Sequence, residues 1–230
     1  MKKIGIIGGL SAQSTIEYYR IIVEEYNKIK GGVSSPELII DSLDLQKISE
    51  FMINDDWDKI LEELVESAIR LIFGKAEIII LATNTPHKVF DKLVPRVAVP
   101  MISIMDATTE SIVEKQLKKV ALLGTRFTMQ STFYQAALNK YNIEVIVPSE
   151  DDQKTIDEVI WSELTHHIIS YGSKIKYLQV IERLKQQGAE GVILGCTEIP
   201  LLINQEDCDI PVFDTTYLHS MAVLNKALEE

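Results

Sequence analysis

Short apolar runs alternate with longer amphipathic stretches along the whole chain. Residues 4–7, 78–82 and 192–194 contain no polar position and lead to small residues, which is typical of buried strands. Residues 55–73 instead place apolar side chains at helical spacing and stop before Gly74, which predicts an amphipathic helix. Strands that alternate with helices in this way predict parallel sheets with helices on both faces.

The same patterns predict the remaining elements. A helix after the Gly8-Gly9 turn is expected to begin at Ser14, with Glu17 completing a capping box, and to end before Gly31. Further strands are predicted at 38–43, 101–104, 120–123, 144–147 and 212–213. Further helices are predicted at 129–141, 155–169 and 176–187. Four more helices are expected: one after Pro86, one after Asp106, a short one that ends near Ile203 and one that begins at Asp214.

The two halves of the chain resemble each other. Residues 76–85 and 189–198 both begin with Ala-Glu and continue through an apolar run to a small residue and then a hydroxyl or thiol. Residues 2–9 align with 118–125 at a similar offset. Apolar strands resemble one another by chance, but several segments agree here in order and spacing, which favours a duplicated domain. The alignment places Thr83 at the position of Cys196.

This duplication predicts two similar three-layer α/β domains with parallel sheets. We expect the first domain to comprise residues 1–104 and 212–230, and the second to comprise residues 105–211. A chain of 230 residues is long enough for two domains of ordinary size.

Composition narrows the class of function. The chain is 46% hydrophobic and 25% charged, as a globular protein is, and its net charge of −11 argues against nucleic-acid binding, which needs a basic surface. The two cysteines, Cys196 and Cys208, form neither a disulfide framework nor a metal-binding spacing. The apolar N-terminal run 4–10 is too short to span a membrane and lacks a signal-cleavage region, so we expect a soluble cytoplasmic protein without a membrane partner.

Candidate chemistry lies where the predicted strands end. Ligands bind at the carboxyl ends of parallel strands, and the Gly8-Gly9 turn, Thr83, Thr125 and Cys196 all fall there. Cys196 precedes an expected helix start at Thr197, and a helix N-terminus lowers a thiol's pKa and favours the thiolate. Cys196 is therefore a candidate nucleophile or base. The alternative is a small, buried, inert side chain.

Neutral hydrogen-bonding residues accompany these strand ends: Asn84, Thr85, Thr125, Thr128 and Thr197. Such groups, together with backbone N–H groups at helix starts, bind a carboxylate well, although capping of helices explains them equally. Arg126 is placed to pair with a second carboxylate, or it is an ordinary exposed arginine. His87 is expected to lie near Thr83 as a merely hydrogen-bonded histidine, and Asp214 to be an N-cap.

Taken together, these segments resemble the aspartate/glutamate racemase family, and the resemblance extends over essentially the whole chain. The segments that carry the resemblance are Gly8-Gly9-Leu10-Ser11, Ser14-Thr15, Thr83-Asn84-Thr85, Leu123-Gly124-Thr125-Arg126, Gly195-Cys196-Thr197-Glu198 and Pro211-Val212-Phe213-Asp214-Thr215. The resemblance implies two similar α/β domains with the active site in the cleft between them, and commonly a homodimer. It also implies no cofactor, neither pyridoxal phosphate nor metal, because two opposed residues exchange the α-proton of an acidic amino acid.

The chain departs from the family at Thr83, where most members carry the first of two cysteines. It most resembles the subgroup specific for L-aspartate and L-glutamate, which implies that Cys196 removes the α-proton from the L-enantiomer and that Thr83 serves the other face. A threonine hydroxyl is a poor acid or base, so we expect slow or one-sided racemisation, with water or His87 relaying the proton. The resemblance places the substrate-binding residues at Leu10, Ser11, Asn84, Thr85, Thr125, Arg126, Thr128 and Thr197.

A second departure concerns recognition of the distal carboxylate. Residues 50–54 and 163–166, where relatives specific for aspartate often place basic groups, contain no lysine or arginine, which leaves Arg126. The leading hypothesis is thus an amino-acid racemase, an enzyme of the isomerase class. Two other functions remain open. One is a lyase with a single cysteine, like arylmalonate decarboxylase. The other is a binding protein for small acids that has lost catalysis.

Overall fold

The computed structural model describes residues 1–229. Its strands are β1 Ile4–Gly8, β2 Leu38–Ser42, β3 Ile78–Leu81, β4 Met101–Ile102, β5 Lys119–Gly124, β6 Glu144–Ile146, β7 Gly191–Gly195 and β8 Val212–Asp214. Its α-helices are α1 Ala12–Lys30, α2 Leu45–Ile53, α3 Trp57–Phe73, α4 Phe90–Leu93, α5 Ile104–Glu114, α6 Arg126–Met129, α7 Phe133–Asn139, α8 Glu150–Ser162, α9 Tyr171–Gln186 and α10 Thr215–Leu228. Short 3₁₀ segments lie at Thr85–Val89, Val94–Arg96, Leu164–His166, Ile199–Leu201 and Gln205–Asp207.

The first sheet has the strand order β2-β1-β3-β4, and every pair is parallel. Because side chains alternate across a strand, Ile4 and Ile6 of β1 share one face with Ile78 and Ile80 of β3. This face packs against α1 and α10 through side chains that are fully or almost fully buried. On the opposite face, Gly5 lies against Leu71 of α3. The sheet is thus covered on both sides, as its continuous apolar strands require.

The second sheet has the strand order β6-β5-β7-β8 and is also entirely parallel. Ala121 and Leu123 of β5 and Val192 and Leu194 of β7 form one face of its core. The apolar sides of α8 and α9 cover this face. β1, β3 and β7 are buried at every position, which explains why they read as uninterrupted apolar runs.

The two sheets have the same topology, which confirms the predicted α/β fold with two domains. β1 corresponds to β5, β2 to β6, β3 to β7 and β4 to β8, in sequence order and in position within the sheet. The internal alignment paired β1 with β5 and β3 with β7.

The chain divides into two compact units, and one boundary differs from expectation. The first unit contains Met1–Ile104 and the chain from His219 onward, and the second contains Met105–Leu218. We expected residues 212–218 in the first domain, but β8 pairs with β7 in the second sheet. The expected boundary before Val212 is therefore wrong, and the division falls within α10.

Several predicted helix boundaries are also wrong. The helix expected at 155–169 is α8, which begins earlier because the Ser149 side chain caps it by accepting a hydrogen bond from the Asp152 N–H. The helix expected at 129–141 is two short helices, α6 and α7. The segment before Ile203 is only a 3₁₀ turn, and α2 was not predicted. Among residues 1–229, no helix has the length and apolar character to cross a membrane.

Candidate functional site

The loop between β1 and α1 is shaped by close backbone contacts. Gly9 has a φ of 76°, and a Cβ there would collide with the backbone of Leu43, so only glycine fits. The Thr15 hydroxyl accepts a hydrogen bond from the Gly9 N–H at 2.8 Å and donates to the Ser11 carbonyl at 3.0 Å. These bonds hold residues 9–11 at the carboxyl end of β1.

Ser11, rather than the expected Ser14, is the N-cap of α1. Its side chain accepts a hydrogen bond from the Ser14 N–H at 3.4 Å, so Ser14 already lies inside the helix. Leu10 and Ser11, two of the predicted substrate-binding residues, are both buried.

Thr83 lies at the end of β3, which is the neighbour of β1 in the first sheet. The Ala82 N–H donates to the Ile7 carbonyl at 2.9 Å, so the chain leaves the sheet only after this residue. Thr83, Asn84 and Thr85 are all buried. The first unit therefore gathers five predicted site residues at one sheet edge: Leu10, Ser11, Thr83, Asn84 and Thr85.

His87 lies in the 3₁₀ segment that follows this turn. Its Nδ1 is 2.7 Å from the Thr83 carbonyl oxygen, and the Ile104 N–H donates to its Nε2 at 3.3 Å. Because a carbonyl only accepts and a backbone N–H only donates, the ring proton is on Nδ1 and His87 is neutral. Burial and the neighbouring His219 ring hold its pKa well below the ordinary histidine value.

A second buried histidine, His219 of α10, adjoins the first. The Tyr18 hydroxyl lies 2.8 Å from its Nδ1, and its Nε2 lies 2.9 Å from the Ile102 carbonyl. The carbonyl fixes the proton on Nε2, so the tyrosine donates to Nδ1. Burial lowers the pKa of His219 to about 4. Neither His219 nor Tyr18 was singled out for this network from the sequence, because the partners are 201 residues apart.

Thr125 and Cys196 follow β5 and β7, which are neighbours in the second sheet. Gly124 pairs with Gly195 at the last position of these strands. A Cβ on Gly124 would lie 2.8 Å from the Gly195 carbonyl oxygen. The Thr125 side chain caps α6 by accepting from the Thr128 N–H at 3.2 Å. The capping interpretation of Thr125 is thus confirmed.

Cys196 is a buried thiol in contact with an acid. Its Sγ donates to Oε2 of Glu198 at 2.9 Å, and the Thr197 hydroxyl donates to the same oxygen at 3.1 Å. Burial above all, and then the charge of Glu198, raise the pKa of Cys196 well above the usual thiol value. The expected lowering by a helix at Thr197 is wrong, because only a turn and the 3₁₀ segment Ile199–Leu201 follow.

Glu198 is the residue at this site that sequence reasoning missed. Its side chain is buried, with 3% of the residue exposed, and glutamate is rarely buried to this extent unless it is paired. In the sequence, Glu198 belongs to a segment that carries the family resemblance, which assigns it no role. The sequence does contain one indication of a role for Glu198: it is the only acidic residue in an otherwise apolar and neutral stretch from Val192 to Pro200.

The start of α10 supports the Cys196 turn within the second unit. The Thr215 hydroxyl donates to the Leu194 carbonyl at 2.8 Å. Asp214 caps the helix, as predicted, because its Oδ1 accepts from the Thr216 and Tyr217 N–H groups. β7 is thereby held to the helix that follows β8.

The second unit gathers Thr125, Thr128, Cys196 and Thr197, all of them buried, at the carboxyl edge of its sheet. Arg126 differs from them because its side chain is exposed, and its guanidinium makes no ion pair within residues 1–229. Its backbone N–H donates to Asp157 at 2.8 Å.

Cys208, the other cysteine, is partly buried and packs against the core of the second unit. Burial and its acidic neighbours Asp207 and Asp209 raise its pKa. Across residues 1–229, no group of three or more His, Cys, Asp or Glu side chains is arranged to hold a metal ion.

Comparison with known proteins agrees with this geometry. The Asp/Glu/Hydantoin racemase family model matches residues 7–223. RacX of Bacillus subtilis, a broad specificity amino-acid racemase, is 24% identical over 223 residues, covering 93% of this chain and 92% of that protein.

Solved structures extend the similarity to the whole fold. A candidate Asp/Glu racemase from Yersinia pestis is 41% identical with a TM-score of 0.91, and the match covers 100% of both chains. An aspartate racemase homologue from Pyrococcus horikoshii is 38% identical with a TM-score of 0.85, again over 100% of both chains. The chain belongs to the Asp/Glu/hydantoin racemase family.

Proposed function

We propose that this protein is an amino-acid racemase that interconverts L- and D-aspartate, or L- and D-glutamate, without pyridoxal phosphate. Cys196 removes the α-proton from the L-enantiomer, and a proton returns to the opposite face of the carbanion from the Thr83 side. The proposal includes the narrower assignment to racemases with threonine in place of the first cysteine.

The observation that supports this proposal most is the equivalence of Thr83 and Cys196. Cys196 directly follows β7, Thr83 follows β3 after the single residue Ala82, and the two units have the same strand order. Each is buried, at 7% and 6% exposure. A duplicated fold with one proton-transfer group at each equivalent strand end matches a reaction that needs one such group on each face of a carbon atom.

The contact with Glu198 supports a definite role for the thiol. Because the pKa of Cys196 is raised, the resting group is a neutral thiol, which is not a base. Glu198 is within hydrogen-bond distance and accepts the thiol proton, and the resulting thiolate takes the α-proton of the substrate. In the reverse direction the thiol protonates the carbanion, and Glu198 then supplies the next proton to sulfur.

Substrate binding is proposed for the neutral groups beside the two strand ends. The α-carboxylate is bound by hydroxyl, amide and backbone N–H groups, drawn from Leu10, Ser11, Asn84, Thr85, Thr125, Thr128 and Thr197. Arg126 supplies the positive charge for the distal carboxylate, since its guanidinium is exposed and makes no ion pair within the described chain.

The proposal is tested by proton NMR in D₂O on L- and D-aspartate and L- and D-glutamate. We expect loss of the α-proton signal with the native protein and none with Cys196→Ala. Cys208→Ala is the matched control, because it removes the other thiol from the same unit and should keep full exchange. A binding protein that lacks catalysis gives thermal stabilisation by these ligands without exchange, and that result would overturn the proposal.

A further inference from the structure

We propose that His87 is a positioning residue for Thr83. The ring holds the Thr83 carbonyl and thereby fixes the turn from which the Thr83 hydroxyl acts. This inference rests on the proposed racemase reaction, in which Thr83 serves one face of the substrate. It also replaces the expectation that His87 relays a proton.

The bond from His87 to Thr83 lies at the point where the chain leaves the sheet. The Thr83 N–H still donates to the Leu81 carbonyl at 2.8 Å, whereas its carbonyl accepts from His87 Nδ1 at 2.7 Å. The His87 N–H in turn donates to the Asn84 carbonyl at 2.9 Å. The imidazole thus closes a tight turn on the residue that carries the reactive hydroxyl.

The ring that makes this bond is itself held on several sides. Its other nitrogen accepts from the Ile104 N–H at 3.3 Å. One face stacks on Phe90, with ring centroids 4.8 Å apart and an interplanar angle of 20°. The His219 ring meets it edge-on at 5.9 Å. With 2% of its surface exposed, His87 has little freedom to move.

These contacts leave no simple route for a proton through His87. A relay would require Nδ1 to release the Thr83 carbonyl or Nε2 to release the Ile104 N–H, and each step breaks a buried hydrogen bond. Positioning requires neither. Misplacement of a reacting group by about 1 Å costs on the order of 100-fold in rate, so a fixed turn has a measurable value for catalysis.

Two substitutions of His87 distinguish its hydrogen bond to the Thr83 carbonyl from its hydrogen bond to the Ile104 N–H. In His87→Asn, the amide nitrogen occupies the place of Nδ1 and still donates to the Thr83 carbonyl. In His87→Gln, the amide group reaches only the place of Nε2, so it still accepts from Ile104 but cannot hold Thr83. Tyr18→Phe is the control, because it removes a buried hydrogen bond to His219 in the same network without touching Thr83.

The readout is chloride elimination from the two enantiomers of threo-β-chloroaspartate, which are called the L-form and the D-form after the configuration at the α-carbon. Removal of the α-proton expels chloride from the β-carbon and leaves an enamine. The enamine takes a proton from water at the β-carbon to become an imine, and water hydrolyses this imine to oxaloacetate and ammonium. No proton has to return to the α-carbon from the protein, so each enantiomer reports one face alone. The L-form reports abstraction by Cys196, and the D-form reports abstraction on the Thr83 side.

We expect His87→Gln to slow elimination from the D-form by on the order of 100-fold while elimination from the L-form is unchanged. His87→Asn and Tyr18→Phe should keep the native ratio of the two rates. Equal losses for both enantiomers in His87→Gln, or identical behaviour of the Asn and Gln variants, would overturn the inference.

A second measurement separates failure of this inference from failure of the proposed function. If the native protein eliminates chloride from neither enantiomer, the racemase proposal fails, and amide hydrogen exchange of residues 83–87 decides the role of His87. Faster exchange there in His87→Gln than in His87→Asn and Tyr18→Phe supports positioning of the turn. Equal exchange in all three variants contradicts it.

Discussion

The Cys196 thiol and the Glu198 carboxylate form a buried pair, and burial together with the charge of Glu198 keeps the sulfur protonated. Replacing Glu198 with Gln keeps an oxygen that accepts from the thiol but removes the negative charge. We predict that Glu198→Gln lowers the pKa of Cys196, because a neighbouring negative charge opposes formation of the thiolate. Ultraviolet absorbance of the thiolate against pH, in a Cys208→Ser background, measures this shift.

Asp157→Asn is the matched control for that titration. Asp157 also raises the pKa of Cys196, but by less than Glu198 does. A larger downward shift in Asp157→Asn than in Glu198→Gln, or no shift in Glu198→Gln, would show that Glu198 does not control the thiol. If Glu198 accepts the thiol proton during the reaction, Glu198→Gln also slows α-proton removal from the L-enantiomer by about 100-fold.

His219 makes the first unit sensitive to acid. Its pKa is about 4 in the folded protein and about 6.5 when unfolded, so below pH 6.5 the unfolded chain binds a proton that the folded chain does not. The contribution of His219 to stability is therefore complete above about pH 6.5 and is lost as the pH falls, by up to about 1.4 kcal/mol per pH unit.

We predict that His219→Gln flattens this pH dependence. Glutamine keeps a donor for the Ile102 carbonyl but does not titrate. Urea unfolding of the native protein and the variant at several pH values between 5.5 and 7.5 gives the two slopes. Slopes that coincide would mean that His219 is not a buried neutral imidazole.

For single residues, the sequence predicted that Cys196 and Thr83 lie at strand ends, as they do, but it did not predict the state of the thiol. Cys196 and Thr83 were found because strand ends in parallel sheets are recognisable from apolar runs. The pKa of the thiol was predicted in the wrong direction, because it depends on burial and on the Glu198 side chain rather than on a helix. The pairing of His219 with Tyr18 depends on tertiary structure, which local patterns do not contain.

At the scale of single elements, β7 ends at Gly195, directly before Cys196, and this end of the strand is tightly packed. A Cβ on Gly195 would lie 2.7 Å from Cδ1 of Leu122 and 2.9 Å from the Leu123 carbonyl oxygen. We predict that Gly195→Ala destabilises the protein by about 1–3 kcal/mol through overpacking, measured as the free energy of unfolding in urea. It should also lower activity, because the displaced strand end carries Cys196.

Gly172→Ala is the comparison for that substitution. Gly172 lies in the first turn of α9, and a Cβ added there would meet no atom closer than Ser170 Oγ, at 3.6 Å. Alanine at this position should be neutral or stabilise the helix by up to about 1 kcal/mol. Equal destabilisation by the two substitutions would contradict the packing argument.

Strands were predicted better than helix boundaries, for a physical reason. The buried strands are apolar at nearly every position, so β1, β3, β5 and β7 stand out from their surroundings. Helix ends depend on single capping bonds such as that of Ser149, and several serine or aspartate residues compete for each end. The split into α6 and α7 follows from turn geometry that periodicity does not reveal.

For the whole molecule, the internal repeat was the most informative feature of the sequence. It predicted two units of one topology and the equivalence of Thr83 with Cys196, and the sheets have that topology. The repeat misplaced the second domain boundary. The chain passes from the second unit back to the first between Leu218 and His219, inside α10, and no break in the sequence pattern marks this position.

The proposed reaction requires two different groups to act on the two faces of one carbon atom. The decisive measurement is to incubate L-aspartate or L-glutamate with the protein in D₂O, separate the two enantiomers at early times and determine deuterium at the α-carbon of each. We predict deuterium in the newly formed D-enantiomer and protium in the remaining L-enantiomer, with neither enantiomer changing in Cys196→Ala. Product that retains protium, equal deuterium in both enantiomers from the earliest times, or no product with either amino acid would contradict this reaction.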